Sequence, residues 1–209
     1  MSTPPAQSGP SELDRGALTH IDDHGRARMV DVMAKALTRR VALARCAVVT
    51  GADATKVLAE APDGLNVVEG ARFAGIQAAK QTSSLIPLCH PIRIDGVRVD
   101  VTVDVHRIEV SAVTEIVERT GVEMEALTAC AVAALTLVGA LIDVDPEVSV
   151  EELTLWHKSG GRSGNWERHG PGGRLTRTLA PTEASTGESG TARPAGATEV
   201  SDGQGRRYE

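Results

Sequence analysis

Between Val41 and Val49 the chain is short, apolar and β-branched at its end, which predicts a strand. Asp53 to Ala61 predicts a short helix, with Asp53 placed to cap its start and Pro62 to end it. Phe73 to Leu85 is alanine-rich and predicts a second helix; Pro87 and Pro91 then force irregular backbone. Val97, Val99, Val101 and Val103 alternate with Arg98, Asp100, Thr102 and Asp104, the pattern of a half-buried strand. The alternation resumes at Ile108, Val110, Ala112, Thr114 and Ile116, after a short connection through Val105, His106 and Arg107. Val122 to Ile142 predicts a long helix, apolar on most faces, that belongs between layers or at a subunit interface. Val148 to Trp156 alternates again, with a break at Glu151-Glu152 that a bulge would explain. Strands beside segregated helices predict an α+β domain with a largely antiparallel sheet.

The two ends break this pattern. Residues 1–14 are rich in Pro, Ser and Gly, and residues 167–209 are dominated by Gly, Pro, Ser, Thr and Arg. Both bury too little apolar area to offset the entropy of ordering them, so both are expected to be disordered. The 209 residues therefore read as one domain over 15–166 with flexible ends. Only 2% of residues are aromatic, so the core must be built from Ala, Val, Leu and Ile. Ala126 to Ile142 is the nearest approach to a membrane span, but it is short and rich in Thr and Ala, and reads as a buried helix. Three unpaired cysteines, Cys46, Cys89 and Cys130, argue against a disulfide framework and suit a reducing cytoplasm. The N-terminus carries no cationic stretch followed by an apolar run, so no signal peptide is expected. A formal net charge of -6 argues against nucleic acid as a partner, but a basic pocket can still hold an anionic small molecule.

Four segments carry candidate chemistry. In Leu88-Cys89-His90-Pro91 a thiol and an imidazole sit between two prolines. They read either as a buried thiol beside a satisfied histidine or as a histidine that titrates with a substrate. At Thr120-Gly121-Val122-Glu123-Met124-Glu125 two acids open the long helix. Acids there complement the helix dipole; in a buried helix, however, a carboxylate needs a partner or takes a raised pKa, which suits proton transfer or recognition of a guanine-like N–H edge. Lys158-Ser159-Gly160-Gly161-Arg162-Ser163-Gly164 is either a flexible exit from the domain or a phosphate cradle of backbone N–H groups and cations. Lys80, in Gly75 to Lys80, reads locally as an ordinary helix lysine. No metal set has the spacing of a zinc site, and no cofactor motif is present.

These segments, with Leu18-Thr19-His20-Ile21 and Met29-Val30-Asp31-Val32 before them, resemble in order the motifs of the MoaC family, the cyclic pyranopterin monophosphate synthases of molybdenum cofactor biosynthesis. The resemblance implies a ferredoxin-like α+β fold and hexamers, trimers of dimers, with active sites between subunits. It implies conversion of a cyclic dihydroguanosine triphosphate into cyclic pyranopterin monophosphate and pyrophosphate, a lyase reaction without a cofactor. It assigns substrate binding to Leu88, Cys89, His90, Glu123, Met124, Glu125 and Lys80, and places His90 and Lys158 among the catalytic groups.

The sequence also departs from the family. The family's catalytic Asp and the Lys three residues after it fall at Gly139 and Ile142, and another family lysine falls at Gly64 or Asp63. Asp143, one helical turn beyond Gly139, is the nearest acid that can substitute. Two readings follow: a working synthase that uses Asp143, or an inactive paralogue that binds a pterin precursor or co-assembles with an active subunit.

Overall fold

A computed structural model describes residues 19–22, 24–60 and 67–169. The expected disordered stretch 1–14, the tail beyond residue 169, Pro62 and the Asp63-Gly64 position lie outside these residues. Strand β1 spans Thr38–Val49 and is followed by helices α1 (Ala52–Glu60), α2 (Val67–Lys80) and α3 (Thr82–Leu85). A hairpin of β2 (Gly96–Val103) and β3 (Arg107–Glu118) comes next, then α4 (Glu123–Leu141), β4 (Ser149–Ser159) and β5 (Trp166–Glu167). The sheet order is β2-β3-β1-β4-β5, with every pair antiparallel. Leaving β5 aside, a β-α-β-β-α-β chain in this order is the ferredoxin-like arrangement.

The alternating positions face the helices as the pattern requires. Val99 and Val101 of β2, and Ile108, Val110, Ala112 and Ile116 of β3, are buried in one core with Ala42, Ala44, Cys46 and Val48 of β1. Helix α4 crosses β1, β3 and β4, and α2 packs on α4 and β2. The small residues Ala126, Ala129, Ala133 and Ala134 are fully buried, while Leu135 is 60% exposed. The length and apolarity of α4 would suit a membrane span, but half of it is buried in this core.

Close approach of α2 to α4 depends on Gly75. A Cβ added there would lie 2.8 Å from the Ala129 carbonyl oxygen and 3.1 Å from Val99 Cγ2. Gly75→Val is therefore expected to lower the unfolding free energy by about 1–3 kcal/mol through overpacking, measured by urea denaturation.

The structure departs from the sequence reading at α2 and at β5, and agrees with it at the break in β4. The expected helix from Phe73 to Leu85 begins six residues earlier, at Val67, and breaks at Gln81 into α2 and α3. The expected break in β4 is present: Glu152 has φ +54° and the register with β1 shifts between Arg45 and Ala47. Strand β5 was not legible. Gly160 (φ +90°) and Gly161 (φ +72°) take left-handed backbone that side chains resist, and beyond them the chain lays Trp166 against Lys158. Pairing thus runs through Glu167, one residue past the expected domain end, and Arg168 Nε donates to the Leu155 carbonyl at 2.9 Å.

Candidate functional site

The N-terminus of α4 is set by a buried hydrogen bond, in which the Thr114 hydroxyl of β3 donates to the Val122 carbonyl at 2.9 Å. This fixes where the first turn begins, and with it Glu123, Met124 and Glu125. The Leu88-Cys89-His90 segment reaches the same place from the other side of the chain. Leu88 takes φ +67°, a strained conformation for a branched side chain and one that clusters at functional sites. Together these residues line a depression of about 150 Å³ with Thr120, Gly121 and His20.

Glu125 is only 4% exposed. Burial is the main cause that lifts its carboxyl to about 7; the charge of Glu123 adds to the rise, and a hydrogen bond with its own backbone N–H opposes it. A raised pKa is one of the two outcomes expected of an acid in a buried helix. At neutral pH the group is split between acid and carboxylate, so it can give or accept a proton. The Cys89 thiol is pushed up by burial and then by the charge of Glu125. It is therefore a neutral wall of the site, not a thiolate nucleophile.

His90 Nε2 lies 2.8 Å from the Val30 carbonyl. A carbonyl can only accept, so Nε2 carries a hydrogen and donates it to this contact. The segment that supplies Val30 is itself anchored: one Arg119 guanidinium nitrogen donates to both the Met33 and Lys35 carbonyls. Lys158 Nζ lies 3.5 Å from Glu123 Oε1 and places a cation at the rim.

A second depression, of about 690 Å³, lies near the β4–β5 turn. It is lined by three cations, Lys35, Arg40 and Arg162, against one acid, Asp31. Arg40 is held open, donating to the Glu118 and Arg119 carbonyls at 3.0 Å each. Gly161 permits this, because a Cβ there would lie 2.3 Å from Arg40 Nη1. Thr38, also in this lining, has a buried hydroxyl without a hydrogen-bond partner among the described residues. Arg40 is two residues from Ala42, the partner of Lys158 across the sheet, so Arg40 and Lys158 share one sheet face.

The structure thus brings together Leu88, Cys89, His90, Glu123, Met124 and Glu125, with Lys158 beside them. Lys80, exposed at the end of α2, and Asp143, exposed just beyond α4, do not line this depression. Asp143 is 18 residues from Glu125, about 27 Å along a helix axis, and Gly139 is about 21 Å away, so a single chain cannot bring either to Glu125. His20 is the site residue that sequence reasoning missed. It stands in the Leu18 to Ile21 motif, but nothing local distinguished it from a solvated histidine. Among the described residues no group of His, Cys, Asp and Glu is arranged to hold a metal ion.

The MoaC family model matches residues 29–161, a span that includes every element from β1 to β4. A relative from Mycobacterium tuberculosis (strain ATCC 25618 / H37Rv), named cyclic pyranopterin monophosphate synthase 2, is 46% identical over 163 residues, which cover 77% of this chain and 97% of the relative. The cyclic pyranopterin monophosphate synthase of Thermomicrobium roseum is 48% identical over 164 residues, covering 77% of this chain and 98% of the relative. That of Streptomyces coelicolor is 43% identical over 170 residues, covering 80% and 99%. The ferredoxin-like core, the ordered motifs gathered around Glu125 and these nearly full-length matches agree: the chain belongs to the MoaC family.

Proposed function

We propose that the chain is a cyclic pyranopterin monophosphate synthase of molybdenum cofactor biosynthesis, a cytoplasmic lyase that converts a cyclic dihydroguanosine triphosphate into cyclic pyranopterin monophosphate and pyrophosphate. The observation that carries the reading is the buried Glu125 carboxyl, its pKa raised to about 7, in a depression lined by His20 and His90 with Lys158 at its rim. The carboxyl faces the N–H edge of the base and exchanges protons with it. His90 presents Nδ1 to the substrate. Lys158, with the Lys35, Arg40 and Arg162 depression on the same side of the sheet, holds the triphosphate and the departing pyrophosphate.

The distance from Glu125 to Gly139 makes the assembly part of this reading. In a hexamer with sites between subunits, the Gly139 end of one α4 completes the depression of a neighbour. Leu135 and Ile142, 60% and 48% exposed in the single chain, form the apolar surface that such contacts cover. Light scattering at micromolar concentration should give a hexamer, and a stable monomer would remove this part of the proposal.

The turnover test is pyrophosphate release from the cyclic triphosphate by the purified full chain. Gly139→Asp with Ile142→Lys is expected to raise the rate by restoring the family's acid and cation. Within the single chain a Cβ at Gly139 meets nothing within 4 Å, so this position has room for the aspartate. Asp143→Asn separates the two readings: activity is lost if Asp143 is the substitute acid. Tight binding without any turnover, unchanged by Asp143→Asn, would instead mark a binding subunit that co-assembles with an active one.

A further inference from the structure

We propose that Trp166 is an aromatic wall of this site, against which the flat purine portion of a guanosine-derived triphosphate lies. The inference deepens the function proposed above and rests on it.

Strand β5 is two residues long and pairs Trp166 directly with Lys158. Directly opposed residues of an antiparallel pair project from the same face of the sheet, with their Cβ atoms about 5 Å apart. Lys158 is opposite Ala42, whose side chain is buried among the residues that face α4, and its Nζ meets Glu123 at the start of that helix. Trp166 therefore stands on the helix side of the sheet, at its outer edge, next to the lysine whose Nζ reaches Glu123 at the rim of the Glu125 depression. The other described tryptophan occupies the opposite face. Trp156 falls at the register shift in β4 and stacks with Arg45, 5.1 Å from the ring centroid, whose position on β1 alternates with Ala42 and Ala44.

The chain has two Trp, one Phe and one Tyr in 209 residues. The core uses none of the described ones as a fully buried side chain. Trp166 is 40% exposed, and the Arg168 guanidinium lies 5.9 Å from its ring centroid, which steadies the ring without covering it. The depression itself, about 150 Å³, is small for a whole nucleotide, and none of its lining residues is Trp, Tyr or Phe. A half-exposed indole next to Lys158 supplies a partner for a purine ring face. It takes any flat ring, so it adds affinity while Glu125 reads the edge.

Each tryptophan can be read alone. In full-length Trp156→Phe, which keeps Trp166, guanosine triphosphate should quench tryptophan emission saturably, with a midpoint matching the calorimetric Kd. In Trp166→Phe it should leave the emission unchanged while binding persists, because phenylalanine still stacks. Inorganic tripolyphosphate should not quench Trp166. Trp166→Ala should weaken guanosine triphosphate about tenfold, since an alanine in place of a stacking aromatic costs of that order, and leave tripolyphosphate affinity unchanged. Guanosine triphosphate binding with the same Kd in Trp166→Ala and no emission change in Trp156→Phe overturns the wall and leaves the proposed function standing. Equal quenching by tripolyphosphate overturns the assignment to the purine. No calorimetric binding of guanosine triphosphate by the unaltered chain overturns both.

Discussion

Glu125→Gln is expected to raise the unfolding free energy at pH 8 by about 3 kcal/mol, and to change it little at pH 4. The folded carboxyl sits at about 7, chiefly because it is buried, against 4.5 for the unperturbed group. The folded state therefore holds a proton that the unfolded state releases between those values. Where the folded state binds more protons, stability falls as pH rises, so Glu125 is tolerated below about 4.5 and costs stability progressively up to about 7. Glutamine has the shape of the protonated acid and no charge to bury, which removes the cost. Paired urea titrations of wild type and variant across pH 4 to 8 measure the difference directly. A difference independent of pH would mean that Glu125 ionises as an ordinary surface acid. The same substitution should lower turnover by about 10²- to 10⁴-fold, the usual contribution of a positioned acid–base group. Gain in stability with loss of activity is the mark of a group kept for chemistry.

Lys158→Ala is the second large effect. Its ammonium lies 3.5 Å from Glu123 at the rim of the acidic depression, and it shares a sheet face with Arg40. Removing it should weaken guanosine triphosphate by about 1.5–3 kcal/mol, roughly 10- to 150-fold, because a charge-assisted phosphate contact is lost. Lys158→Arg keeps the charge and should recover part of the affinity. The gap between wild type and alanine variant should narrow as salt rises, since the site is open to solvent. Calorimetry at two ionic strengths checks both, and equal affinity of wild type and Lys158→Ala would place the phosphates elsewhere.

The strands and the long helix were legible because each shows its surroundings in its period. Val97 to Val103 and Ile108 to Ile116 alternate with one face on the helices, and β3 and β2 appear within two residues of the expected positions. The start of α2 was missed although a signal stood there: Asn66, directly before Val67, is a residue type favoured at helix starts, and Glu69 follows three residues on, but the apolar pattern was read only from Phe73. The two-residue β5 was missed for a different reason. It depends on left-handed glycines at 160 and 161, which look the same in sequence as a flexible exit. The local residue types at Leu88 to His90 and at Glu123 to Glu125 suggested chemistry, yet only the tertiary structure shows that the two segments share one depression. His20 had no local mark at all. The distance of Asp143 from Glu125 was, in contrast, already implied by helix rise, and it turns a substitution within one site into a question about two chains.

The most direct test is to incubate the full chain with the cyclic dihydroguanosine triphosphate and follow binding by calorimetry and pyrophosphate by a coupled assay. The account predicts saturable binding that Lys158→Ala weakens, and pyrophosphate release that Glu125→Gln suppresses. Failure of the unaltered chain to bind this substrate at all would contradict it.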